Sequence, residues 1–154
     1  MGVGEFHLVT EWLLDAPVES VRQALLDVEQ WPDWWPSVRS VEIVEKGEAD
    51  GVGAVHRLRW RTALPYDLVF EMQVTCLEPE RLIEGQAAGE LDGTGRWTLA
   101  ARGNRTHVRY DWSVRVTRIW MRWLAPVLRP VFAWNHGRVM DTGRQGLARR
   151  LAQR

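Results

Sequence analysis

The segment Trp31-Pro32-Asp33-Trp34-Trp35-Pro36 restricts the fold of this chain more than any other stretch. It holds three of the ten tryptophans between two prolines. Proline cannot continue the interior of a helix, because it lacks a backbone N–H and clashes with the preceding turn. Large indole rings on such a stiffened turn are costly to leave in water. We therefore expect Trp31, Trp34 and Trp35 to point into a core or an apolar cavity.

Regular spacing of apolar residues predicts one strand and one helix before this turn. Glu5–Leu14 alternates between two faces, as a half-buried strand does, with Phe6 and Trp12 on the same face. Asp15-Ala16-Pro17 then starts a helix, because proline fits the first turn and acidic residues favour its positive end. The helix is expected to continue through Gln30, and its apolar face consists of Val18, Val21, Leu25 and Val28.

A period of two runs from Val38 to Thr117 and predicts six more strands, at about 38–47, 51–62, 67–76, 81–88, 96–101 and 106–117. On the second of these, Arg57, Arg59 and Arg61 lie opposite the inward face. Acidic residues of the next strand can pair with them across an antiparallel, half-solvated sheet. We expect these arginines to form an outer charge ladder.

Helical spacing returns after Thr117 and continues to the end of the chain. Pro126 and Pro130 are expected to break or kink this helix early, so that a short piece precedes a long one. Gly143 and Gly146 each cost about 1 kcal/mol in a helix interior relative to alanine, which predicts close packing against the sheet or the early turn. The apolar stripe consists of Trp120, Trp123, Leu124, Val127, Leu128, Val131, Phe132, Asn135, Val139, Leu147 and Leu151.

Composition bounds the class of protein. With 154 residues, 45% hydrophobic and 26% charged, the chain is expected to form one domain spanning residues 1–154, without a membrane span. The single cysteine, Cys76, excludes an internal disulfide, and Met1–Glu5 shows no signal sequence, so we expect a cytoplasmic protein. Residues 1–93 hold 7 basic and 18 acidic residues, whereas residues 94–154 hold 13 and 2. Without a zinc-finger or helix-turn-helix motif, this asymmetry favours packing of oppositely charged halves, and we predict no nucleic-acid partner.

Several segments resemble one superfamily. They are Ala16–Val21 before the turn, the strand pair Gly95–Leu99 with Thr106–Tyr110, and the tail Trp134–Met140 followed by Gly146–Ala148. With the order of elements, they resemble the START/SRPBCC helix-grip superfamily, in particular bacterial polyketide cyclase/dehydrase-like proteins. The resemblance implies an α+β helix-grip fold: a seven-stranded curled antiparallel sheet around a long C-terminal helix, with short helices after the first strand. It also implies a cavity near the aromatic turn, but fold alone does not decide between binding and catalysis.

The inward faces of the strands and the C-terminal helix define a predicted ligand site. Aromatic walls with few polar groups are typical of small-molecule pockets. We expect the partner to be a hydrophobic small molecule, polyketide-like or lipid-like. The residues expected to contact it are Trp31, Trp34, Trp35, His56, Leu58, Trp60, Phe70, Met72, Arg96, Tyr110, Trp112, Val131, Asn135 and Val139.

Three polar residues are candidates for acid–base chemistry in that site. His56 is either a hydrogen-bonded core histidine, which we favour, or a proton donor and acceptor in the pocket. His136 faces either the core or the ligand. Glu84 either faces outward or lines the cavity, where it would need Arg96 as a partner. Such groups suit an aromatase/cyclase or dehydratase acting on a polyketide-type substrate, which is the alternative to simple binding.

The remaining motifs predict neither a cofactor nor a metal site. Paired glycines at 51–53 and 93–95 fit strand-end turns better than phosphate cradles. The four histidines, at 7, 56, 107 and 136, lack chelating spacing. Arg118–Leu124 is basic and rich in tryptophan. It either packs over one end of the cavity, which we favour, or contacts an anionic membrane, as in a peripheral lipid carrier. Nothing in the sequence specifies an oligomeric state.

Overall fold

A computed structural model describes residues 5–62, 67–79 and 81–153, and these residues form one antiparallel sheet of seven strands. The sheet order is β1-β7-β6-β5-β4-β3-β2, so the first two strands of the chain form its opposite edges. The strands are β1 (Glu5–Leu14), β2 (Val38–Glu45), β3 (Val55–Arg61), β4 (Asp67–Glu78), β5 (Leu82–Gly89), β6 (Leu91–Arg102) and β7 (Arg105–Val116).

Three helices accompany the sheet. After β1, α1 (Val18–Leu26) and α2 (Trp31–Trp34) are joined by a 3₁₀ turn at Val28–Gln30, and α3 (Ile119–Ala152) is the C-terminal helix. The helix predicted to run through Gln30 therefore ends at Leu26, and the chain then forms the 3₁₀ turn and the short helix α2. The sheet curls around α3 without closing, which confirms the α+β helix-grip architecture.

The predicted division of the C-terminal helix into a short and a long piece is wrong. α3 runs through Pro126 and Pro130 as one helix of 34 residues. Each proline removes one hydrogen bond to the carbonyl four residues earlier, on Arg122 and Pro126 respectively. Both of these residues are exposed, so water can hydrate the carbonyls that lose their helical donor.

The start of α3 also differs from the favoured interpretation of its tryptophans. Trp123 is 81% exposed and Trp120 is 44% exposed, so neither is buried over the end of a cavity. The apolar stripe predicted from helical spacing is therefore covered only in part: Phe132 packs against the core, and Leu147 and Leu151 are buried. The side chain of Leu128, also predicted for the stripe, lies outside the described residues. No helix within the three described ranges combines the length and the apolarity needed to cross a bilayer.

The strand β6 begins at Leu91, so the glycines predicted as a turn belong to the strand. Gly95 pairs with Trp112 of β7. A Cβ atom at position 95 would lie 2.5 Å from the hydroxyl of Tyr110 and 3.1 Å from the ring of Trp112. Glycine is needed here because aromatic side chains approach the backbone closely, which the sequence pattern alone does not distinguish from a turn.

Two of the three arginines of the predicted charge ladder, Arg57 and Arg59, form ion pairs on the outer face of the sheet, whereas Arg61 borders the cavity. A guanidinium nitrogen of Arg57 donates to Glu71 at 2.8 Å, and another lies 3.3 Å from Glu42. Arg59 lies 3.6 Å from Asp67. These ion pairs are largely solvent-exposed, so they contribute little to the stability of the sheet.

The aromatic turn packs directly against the later part of α3. Trp35 is 1% exposed, and its indole N–H donates to the carbonyl of Val139 at 2.8 Å. A Cβ atom on Gly143 would lie 2.5 Å from the Trp35 ring, and one on Gly146 would overlap the carbonyl oxygen of Trp34. The close packing predicted from these two glycines is confirmed, and the early turn is the surface that they approach.

Candidate ligand-binding site

A cavity of about 680 Å³ lies between the sheet and α3. It adjoins two clusters of buried apolar residues, one around Trp12 and Trp35 and the other around Phe6 and Trp112. Trp60, Met72 and Tyr110 pack against both clusters and line the cavity. Its volume falls within the range of roughly 300–1,000 Å³ that small-molecule sites occupy.

Twelve of the fourteen predicted ligand contacts lie on the cavity wall. Strand geometry explains why. Residues two apart along a strand point to the same face of the sheet, and so do the residues paired with them on the neighbouring strand. The register pairs Leu58 with Phe70 and His56 with Met72, which brings two strands' inward side chains together. The twelve are Trp31, Trp35, His56, Leu58, Trp60, Phe70, Met72, Tyr110, Trp112, Val131, Asn135 and Val139.

Aromatic rings form a continuous series along this wall. Trp97 and Tyr110 are stacked with their ring centroids 4.1 Å apart, and Tyr110 stacks on Trp112 at 5.8 Å. Trp112 lies 5.8 Å from Phe70, which is parallel to Trp60 at 6.5 Å. Flat apolar groups of a ligand would find aromatic faces and edges to pack against along this series.

The structure corrects the expectation for Trp34. Its side chain is buried but lies outside the cavity wall, and its ring stacks on Trp35 at 5.3 Å. Its carbonyl is the group that faces Gly146 of α3. Trp34 therefore supports the wall from behind, because the aromatic turn directs only Trp31 and Trp35 toward the cavity.

The structure also corrects the expected contact of Arg96 with the ligand, and it shows the partner of Glu84. Since Trp97 is buried, its neighbour Arg96 points to the opposite face of β6, where its side chain is 54% exposed. Arg96 donates two hydrogen bonds to one carboxylate oxygen of Glu84, at 2.5 and 2.8 Å. Glu84 borders the cavity, and its carboxylate is paired with Arg96.

His56 brings a titratable ring to the cavity wall. The residue is 8% exposed, and its Nε2 lies 3.7 Å from a carboxylate oxygen of Glu29. Glu29 belongs to the 3₁₀ turn before α2 and also lines the cavity. This distance suits an ion pair when the imidazole is protonated, and it is too long for a strong hydrogen bond.

His136 also lines the cavity, from α3. Its Nε2 is buried without a hydrogen-bond partner among the described residues, and burial lowers the pKa of His136 to about 4. The ring is therefore neutral at pH 7. A neutral imidazole with so low a pKa can accept or donate a hydrogen bond, but it is a poor proton donor at that pH.

Sequence reasoning did not single out several residues of the wall. Glu29 carried no signal, because a glutamate after an amphipathic helix is an ordinary surface residue. The apolar wall residues on β1 and β7 could have been found from the sequence, because these strands alternate strictly and Phe6 shares a face with Trp12. The further wall residues include Phe6, Leu8, Leu25, Leu26, Val28, Val114, Val116, Met121 and Phe132.

The sequence profile of one family, described as polyketide cyclase/dehydrase and lipid transport, matches residues 5–152. The chain belongs to this family. The match covers every element from β1 to α3. No curated protein sequence matches the chain.

Solved structures of START-like proteins share the family fold. The Zhui aromatase/cyclase from Streptomyces sp. R1128 is 20% identical with a TM-score of 0.78, and the match covers 97% of this chain and 95% of that one. A START superfamily protein from Mycobacterium smegmatis is 19% identical, with a TM-score of 0.78 and coverages of 96% and 97%. A protein from Thermus thermophilus is 17% identical, with a TM-score of 0.75 and coverages of 92% and 97%. Identities this low establish a common fold and leave each protein its own activity.

Proposed function

We propose that this family member binds an apolar or aromatic small molecule, polyketide-like or lipid-like, in the cavity between the sheet and α3. The observation that carries the proposal is the aromatic series Trp97-Tyr110-Trp112-Phe70-Trp60 beside a space of about 680 Å³. Burial of apolar ligand surface against such a wall is the main favourable term in binding. The same wall sets a preference for flat, ring-containing ligands over flexible chains.

A few polar groups on the wall would orient a ligand that carries oxygen atoms. Tyr110, His56, Asn135 and His136 all border the cavity, and each can exchange a hydrogen bond with a carbonyl or hydroxyl group. Because most of the remaining wall is apolar, an oxygen placed against it would lose its water without compensation. This argument favours a polyketide-like ligand with few, fixed oxygens over a pure hydrocarbon.

The first test is native mass spectrometry of the protein purified from its own host, followed by extraction of any bound small molecule. A stoichiometric apolar or aromatic ligand is expected.

A titration with the fluorescent probe N-phenyl-1-naphthylamine then tests the location of the binding site. Leu8 lines the cavity, whereas its neighbour Val9 is exposed on the other face of β1. Leu8→Trp should weaken probe binding roughly tenfold and Val9→Trp by less than about twofold.

The paired variants make the proposal refutable even when no ligand co-purifies. An added indole at position 8 occupies cavity volume, whereas the same indole at position 9 enters solvent. Equal probe affinity in the two variants, with both folded by circular dichroism, would contradict a binding site in this cavity. A folded protein that binds no apolar probe at all would contradict it too.

A second candidate function is a proton-transfer reaction of the aromatase/cyclase or dehydratase type. The observation that favours it is the His56–Glu29 pair, 3.7 Å apart on the cavity wall. In such a reaction His56 would accept a proton from carbon next to a substrate carbonyl and return it to the departing hydroxyl, which leaves as water. Glu29 would hold the imidazolium that forms in between.

Turnover of a soluble poly-ketone separates this candidate from binding alone. If His56 is the base, His56→Ala should abolish turnover while probe affinity changes little, and Glu29→Gln should slow turnover without abolishing it. Wild-type protein that binds the poly-ketone without converting it would leave binding as the function. Unchanged turnover in His56→Ala would exclude this residue as the base.

A further inference from the structure

The first half of α3 exposes a continuous apolar face. At about 100° per residue these side chains share an arc of roughly 140° around the helix. The opposite side carries Met121, Ala125 and Phe132, which pack against the cluster around Phe6 and Trp112. Contiguous apolar surface of this kind marks an interaction site. The exposed face consists of Ile119, Trp120, Trp123, Leu124, Val127, Val131 and Trp134, each between 38% and 81% exposed.

The charged residues of this part of α3 are all basic. The sequence contains no aspartate or glutamate between Asp111 and Asp141. Arg122 borders the face near its start, and the guanidinium of Arg138 lies 5.5 Å over the ring of Trp134 at its end. An occupant that offers negative charge around an apolar interior would match both properties.

We propose that the exposed face docks on an anionic lipid bilayer, with α3 lying in the plane of the membrane surface. Tryptophan prefers the membrane–water interface, because its ring is apolar and its N–H needs a polar partner. The face extends over about 15 residues, or about 22 Å along the helix axis, and a helix of this kind buries its apolar side at the boundary of head groups and acyl chains. Arg122 and Arg138 would then meet anionic head groups.

The charge pattern argues against a second copy of the chain as the occupant. A twofold contact between two exposed faces would bring two sets of arginines together with no carboxylate from residues 112–140 to offset them. Like charges placed across an interface disfavour association. An anionic bilayer has no such conflict.

Docking would place the cavity next to the membrane. The side of α3 away from the exposed face supplies Met121, Phe132 and Val139 to the cavity wall. One helix therefore lies between the proposed membrane surface and the proposed ligand site. Val131, at the edge of the exposed face, also borders the cavity, whereas Trp123 and Trp134 do not. Variants of these two tryptophans therefore test docking without a cavity ligand.

The test is co-sedimentation with vesicles of phosphatidylcholine that contain about one-third phosphatidylglycerol, compared with vesicles of phosphatidylcholine alone. Wild-type protein should bind the anionic vesicles, and added salt should weaken binding. The double variant Trp123→Ala/Trp134→Ala should bind roughly tenfold less. The control Val9→Ala/Leu13→Ala, which truncates exposed apolar side chains of β1, should change binding by less than about twofold.

Three results would overturn the proposal. One is the absence of wild-type binding to anionic vesicles, and another is equal binding by the tryptophan variant. The third is a concentration-dependent dimer in sedimentation equilibrium that the tryptophan variant abolishes, which would assign the face to a second copy of the chain. Because Trp123 is largely exposed, the variant should unfold at the wild-type temperature, and this measurement separates lost docking from lost folding.

Discussion

Replacing Gly146 by alanine tests how closely α3 is seated on the aromatic turn. Alanine is favoured over glycine in a helix interior by about 1 kcal/mol, so local propensity alone predicts that Gly146→Ala stabilises the protein. The structure predicts the opposite. A Cβ atom at this position would overlap the carbonyl oxygen of Trp34, which is part of the backbone and cannot rotate away. The overlap can be relieved only by moving α3 or the turn.

The size of the effect follows from these two opposing contributions. Overpacking a rigid contact costs typically about 1–3 kcal/mol, and a backbone contact belongs at the upper end. After the gain in helix propensity, Gly146→Ala should lower the free energy of unfolding by about 2 kcal/mol. Gly137 is the matched control, because it lies in the same helix and a Cβ atom there would meet nothing within 4 Å. Gly137→Ala should raise the free energy of unfolding by about 0.5–1 kcal/mol.

Urea denaturation followed by circular dichroism measures both variants against wild type. In a chain of this size, about 1 kcal/mol corresponds to roughly 2–4 °C in melting temperature. Gly137→Ala should therefore melt a few degrees higher and Gly146→Ala several degrees lower. If Gly146→Ala is as stable as Gly137→Ala, α3 does not rest on Trp34 as described and the reasoning fails.

Three further predictions concern single side chains. Burial lowers the pKa of His136 to about 4, so the unfolded chain binds a proton at a higher pH than the folded one. The free energy of unfolding should therefore fall by about 3 kcal/mol between about pH 6.5 and pH 4. In urea titrations, His136→Gln should lack this part of the pH dependence. Thr106→Val should cost about 1–2 kcal/mol, because the carbonyl of Ala16 loses a buried hydrogen bond of 2.7 Å; a neutral result in the same assay would contradict this. Arg96→Gln should change affinity for N-phenyl-1-naphthylamine by less than about twofold, because the pair with Glu84 leaves the Arg96 side chain outside the cavity; a larger loss would return Arg96 to the site.

Much of the candidate wall could be predicted from local spacing. Side chains on a strand alternate by geometry, so the pattern at β3 and β4 assigned Leu58 and Phe70 to one face before any pairing was known. Trp34 was predicted wrongly because a short turn has no repeating pattern that would show which of the consecutive Trp34 and Trp35 faces the cavity. Arg96 was misplaced although its neighbour Trp97 already implied an outward direction.

Contacts between distant segments could not be predicted. The His56–Glu29 pair joins β3 to a turn far earlier in the chain, and no local pattern links the two. The sequence pattern predicted that arginines of β3 pair with acidic residues, but the partner of each arginine depends on the register between strands. Register is set by the whole buried face of a sheet and not by a single pair.

The sequence by itself determined the order and type of the elements and the inward face of each strand, because backbone periodicity is a local property of the chain. Only the tertiary structure decided which part of the α3 stripe is covered. Helical spacing shows that Trp123 and Leu147 can belong to one apolar surface, but burial needs a second surface to cover it. The sheet and the aromatic turn cover Leu147 and leave Trp123 exposed. That difference separates the packed part of α3 from the face proposed to meet a membrane.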